Sequence, residues 1–112
     1  MTKPDKPKKV TEVFTLLAEV GRKEGDGLPA GTSGAGLMCF ASGTDEAEAV
    51  RETVAVLKTA GLAVLDVTAY GTPEDRRAQG HEISDEEQAL MDRARDENAV
   101  IVAEVTTFKG DK

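Results

Sequence analysis

The residues best equipped for chemistry fall in one stretch, Gly71-Thr72-Pro73-Glu74-Asp75-Arg76-Arg77-Ala78-Gln79-Gly80-His81-Glu82. It holds the chain's one histidine, His81, and its one adjacent arginine pair, Arg76 and Arg77. Two guanidinium groups can grip a carboxylate or a phosphate with paired N–H donors. An imidazole can serve as a general base near neutral pH. Read for chemistry, Arg76, Arg77 and His81 form a ligand-binding site for a small anionic metabolite. The plainer account is a solvated loop in which Glu74 or Asp75 pairs with Arg77, and it is the one the sequence favours.

A second stretch, Gly21 to Gly36, carries six of the eleven glycines. Glycine-rich loops hold phosphates when bare backbone N–H groups lead into a helix N-terminus. Here Gly31-Thr32-Ser33-Gly34-Ala35-Gly36 leads into an apolar run, and the lysine of a phosphate-binding loop is missing. Glu24 and Asp26 would repel an anion as well. A mobile hairpin loop fits better, although about 15 residues is long for a connection and long loops often bind partners.

The remaining candidates are weaker. His81 with Glu82 and Asp85 falls short of a zinc ligand set, so no metal is expected. Cys39, between Met38 and Phe40, has an apolar setting that hides a thiol and raises its pKa, so it reads as a small core residue. One cysteine permits no internal disulfide. No nucleophile–base set is visible and no cofactor motif is present. The expected function is therefore non-catalytic: a domain that binds a partner protein or a small ligand and forms a homodimer. The alternative is a small enzyme or ligand-binding protein for a small anionic metabolite, using residues 71–82.

Charge narrows the partners. The chain has 14 Lys and Arg against 21 Asp and Glu, a net −7. Lys3, Lys6, Lys8, Lys9 and Asp5 lie in the first nine residues, which leaves 10 basic and 20 acidic groups from Val10 onward. A body carrying about −10 repels phosphate backbones, which argues against nucleic acid. The basic residues 1–9 read as a disordered tail and 10–112 as one α/β domain. The longest nearly apolar run, Ala35 to Ala41, is far below the ~20 residues that cross a bilayer. With no apolar leader, a cytoplasmic location is expected.

The elements that must position these residues are legible in part. Thr44-Asp45-Glu46 reads as a helix start with Thr44 as its cap, and Ala47, Val50, Val54 and Leu57 form its apolar stripe. Gly61 ends it. Ser84-Asp85-Glu86-Glu87 is a capping box for a second helix that runs to about Asn98, with Leu90, Met91 and Ala94 on its apolar edge. Leu62 to Tyr70 alternates as a half-buried strand, and Leu37 to Ala41 reads as a buried one. Ala99 to Phe108 is rich in β-branched residues and apolar on both faces in its first half, which suggests a central strand. Val10 to Val20 fits either period, and its Val, Thr and Phe content favours a strand.

The expected fold is α+β: a two-layer ββαβαβ sandwich, ferredoxin-like in the loose sense. Its sheet has four to five strands, with two helices on one face. Phe14, Leu16 and Tyr70 are expected on strand surfaces that two helices do not fully shield, and burying them would drive formation of a homodimer.

Overall fold

The structure, a computed structural model, describes residues 11–109. The basic segment 1–9, together with residues 10 and 110–112, lies outside the described residues. The elements are β1 (Glu12–Val20), β2 (Thr32–Gly43), α1 (Glu46–Thr59), β3 (Val64–Gly71), α2 (Pro73–Ala78), α3 (Asp85–Glu97) and β4 (Val100–Lys109). The fold is α+β, with a four-stranded antiparallel sheet in the order β3-β1-β2-β4. That order does not establish a ferredoxin-like topology.

The ambiguous segment 10–20 is strand from Glu12, as its β-branched content suggested. It pairs with β2 from Glu12↔Gly43 to Val20↔Ala35, making the central hairpin. β2 and β3 run the same way on either side of β1, joined by α1. Residues 76–83 hold the end of α2 and the turn after it.

The two long helices cover opposite faces of the sheet, which corrects the expectation of both on one face. On the first face, Phe14, Leu16, Ala18 and Val20 stand opposite Ala41, Cys39, Leu37 and Ala35. Ala49 and Leu57 of α1 close over them. On the second face, Val13 and Phe40 pack against Met91 and Ala94 of α3. The cause lies in β2, which is buried on both sides from Gly34 to Gly43 except at Met38 and so needs a cover on each.

Four further expectations change with this. Phe14 and Leu16 are 7% and 0% exposed, because α1 lies over them; of the three residues named, only Tyr70 stays exposed. β4 is an edge strand, not a central one. Its first half is apolar on both faces because Val100 packs on the α1 side while Ile101 and Ala103 pack on the α3 side. The cap of α1 is Asp45, which accepts from the Glu48 N–H at 2.8 Å. Thr44 instead donates its backbone N–H and its hydroxyl to Glu48, at 2.6 and 2.9 Å, and these two bonds lower the Glu48 pKa. The stripe that α1 buries is Ala49, Thr53 and Leu57.

Candidate functional site

The 71–82 stretch is more structured than a solvated loop. Gly71 ends β3 with φ +93°, a conformation L side chains avoid. Thr72 then caps α2 through a complete capping box: its hydroxyl accepts from the Asp75 N–H at 3.1 Å, and the Asp75 carboxylate accepts from the Thr72 N–H at 3.1 Å. Pro73 occupies the first turn, where its missing N–H costs nothing. The helix ends in a Schellman turn. His81 N–H donates to the Arg76 carbonyl at 2.9 Å and Gly80 N–H to the Arg77 carbonyl at 3.0 Å, with Gly80 at φ +91°. This turn folds His81 back over Arg76.

The two arginines then part. Arg76 points inward and is 7% exposed. Its Nη1 donates to the Thr15 hydroxyl at 3.4 Å and lies 3.6 Å from a Glu87 carboxylate oxygen, while its Nε donates to His81 Nδ1 at 3.4 Å. Accepting at Nδ1 leaves the imidazole proton on Nε2. Arg77 points out and donates to the Gln88 side chain at 3.3 Å. The expected pairing of Arg77 with Glu74 or Asp75 does not form; Asp75 is engaged as the N3 partner of the cap.

Arg76 and His81 meet at a cavity of about 280 Å³, lined also by Thr15, Leu17, Met38 and Tyr70. The Tyr70 and His81 rings stand edge to face, with centroids 6.2 Å apart. The structure thus brings two of the three anticipated site residues together and turns Arg77 away. Thr15, Leu17, Met38 and Tyr70 were missed as site residues, because their convergence comes from strand pairing across β3, β1 and β2. α2 itself had a readable signal: Thr72-Pro73-Glu74-Asp75 is a cap, a first-turn proline and an N3 acid, and Gly80 is a stop.

The glycine-rich segment is pinned by an internal network. Arg22 Nε donates to Asp26 at 3.0 Å, and its Nη1 reaches the Pro29 and Thr32 carbonyls at 3.1 and 2.6 Å. Asp26 also accepts the Leu28 and Lys23 backbone N–H groups at 3.0 and 2.8 Å. Those two N–H donors, followed by Arg22, hold the Asp26 carboxyl down at about 2. The anion in this loop is the protein's own carboxylate.

Cys39 is fully buried, and desolvation pushes its thiol up to about 11. Among the described residues no three His, Cys, Asp or Glu side chains are grouped to hold a metal ion. None of the described helices is long and apolar enough to cross a membrane.

Neither the curated proteins nor the solved structures compared with this chain give a match. The family model for a domain of unknown function, DUF8846, matches residues 13–109, from the second residue of β1 to the last of β4, and the chain belongs to that family.

Proposed function

We propose that the chain is a non-catalytic interaction domain that pairs with a second copy of itself along β4. The observation that carries this reading is the edge itself. β4 has ten residues, its outer side has no partner strand among the described residues, and Val102 and Val105 on it are 41% and 53% exposed. A long apolar edge is a template for strand addition unless it is blunted by proline, charge or brevity. Between Val100 and Lys109 there is no proline, and only Glu104 and the terminal Lys109 are charged. The other edge, β3, is shorter, with eight residues, and the pairing of each edge strand carries two register shifts. An isologous β4–β4 contact about a two-fold axis would make one eight-stranded sheet.

The cytoplasm is the compartment that goes with this reading, on the strength of one buried cysteine and no disulfide. Sedimentation across a concentration series tests the dimer. The unmodified chain is expected to dimerise below high micromolar concentration. Val105→Lys, at an exposed position, is expected to give a folded monomer that melts as the unmodified chain does when diluted below its dimer dissociation constant. A strict monomer at high micromolar concentration, or a dimer indifferent to Val105→Lys, would overturn the reading.

A further inference from the structure

We propose that the cavity beside Arg76 binds a small monocarboxylate with an apolar body. The guanidinium of Arg76 carries the inference. It is a buried cation, and a buried cation needs short, well-aimed acceptors around it. Among the described residues it has three contacts, all long: 3.4 Å to Thr15, 3.4 Å to His81 and 3.6 Å to Glu87. No acceptor among the described residues takes a hydrogen bond from its Nη2. Glu87 cannot close on it freely, because its other oxygen accepts the Ser84 N–H at 3.1 Å in the capping box of α3. A ligand carboxylate entering the cavity supplies the missing acceptor, with charge-assisted bonds about twice as strong as neutral ones.

The walls set the rest of the ligand. Leu17, Met38 and the Tyr70 ring are apolar surfaces, and His81 Nε2–H and the Thr15 hydroxyl are the polar groups beside Arg76. Glu87, 3.6 Å away, already offsets part of the Arg76 charge, so among anions a ligand of one negative charge meets the least repulsion. A phosphate or a polycarboxylate would bring more charge than Arg76 can meet, and Arg77 is turned outward against Gln88. The cavity, about 280 Å³, lies at the small end of ligand pockets, which suits a short acid such as a six-carbon fatty acid or an aromatic acid of one ring. No residue of β4 lines the cavity, so the site is independent of pairing along that edge.

The test is binding to the full chain followed by NMR titration, with hexanoate, hexanamide and inorganic phosphate as probes. Hexanoate is expected to bind saturably in the millimolar range or tighter and to shift the Leu17, Met38 and Tyr70 signals. Hexanamide, of the same shape without the charge, is expected to bind roughly tenfold or more weakly. Phosphate is expected not to compete. Arg76→Gln is expected to weaken hexanoate roughly 10- to 100-fold while leaving hexanamide unchanged, and Arg77→Gln to change neither. Equal binding of hexanoate and hexanamide, competition by phosphate, or no saturable hexanoate binding overturns the proposal. Should Arg76→Gln fail to fold, Met38→Trp fills the cavity from its opposite wall. Loss of hexanoate binding in that variant supports the site, and retention overturns it.

Discussion

Thr53 sits in the middle of the stripe that α1 lays on the sheet, one turn from Ala49 and one from Leu57, and it is 0% exposed. Its hydroxyl is the buried side-chain polar atom without a hydrogen-bond partner among the described residues. Thr53→Val replaces that hydroxyl with a methyl group in the same branched shape. An unpaired buried hydroxyl costs roughly 1–3 kcal/mol by protein mutational data. The two side chains differ little in helix propensity, so no opposing term of that size arises. The expected outcome is a gain of about 1–3 kcal/mol, read as a higher urea midpoint with an unchanged m-value. The melting temperature should rise by at least ~4 °C, given roughly 4–8 °C per kcal/mol for a domain near this size. Thr53→Ser is the control: it keeps the hydroxyl, loses the methyl, and should be destabilised by about 1 kcal/mol. A destabilised Thr53→Val would refute the reasoning. It would mean that the hydroxyl donates in the folded chain, to the carbonyl one turn back or to a buried water.

Two other perturbations test the segments around the site. Asp26 is held at about 2 in the folded chain against an ordinary value of 3.8, so its stabilisation is full above about pH 4 and fades as pH falls from there through 2. Asp26→Asn should flatten the acid limb of the stability–pH curve in that window, and an unchanged limb in urea titrations between pH 2 and 5 would count against the network. Gly71→Ala should cost about 2 kcal/mol or more, because φ +93° is strained for alanine and the added Cβ would lie 2.5 Å from an Asp75 carboxylate oxygen, prising open the cap of α2. A change within about 0.5 kcal/mol would show that α2 does not depend on that turn.

Local chemistry was the legible part of this chain. The box at Ser84 and Glu87 forms as its spelling requires, and Gly61 ends α1. The apolar surroundings of Cys39 were enough to bury it. What one-dimensional patterns did not carry was which neighbour covers which face. Ala99 to Phe108 looked central because a run that is apolar on both faces needs a cover on each, the usual setting of a central strand. Here α1 and α3 supply those covers over the first half of an edge strand. Of the α1 stripe read at Ala47, Val50, Val54 and Leu57, Leu57 is buried, and the other buried positions are Ala49 and Thr53. The residue pressed on the sheet is Ala49, which approaches the backbone of Gly43 too closely for a side chain there. In the site, Arg76 and Arg77 are chemically alike in sequence. Six residues of helix decide that one is buried and the other is not.

The position of the cavity follows from a mismatch of lengths. β1 has nine residues, about 30 Å at 3.3 Å each, so each sheet face needs a cover of that order. On the first face α1, fourteen residues long, covers about 21 Å and reaches from Ala49 over Ala41 to Leu57 over Leu37 and Val20. On the second face α3 packs only at the Val13 and Phe40 end, and the next cover is α2, six residues and about 9 Å. Leu17 and Met38, the next pair on that face beyond Thr15 and Phe40, are only partly covered: Leu17 is 36% exposed and Met38 half-buried. A sheet face built to be buried but under-covered must either face water or hold something. The Arg76 guanidinium, 7% exposed, lines that gap, and a cation beside apolar walls selects a ligand with an acceptor at one end and an apolar surface along the rest.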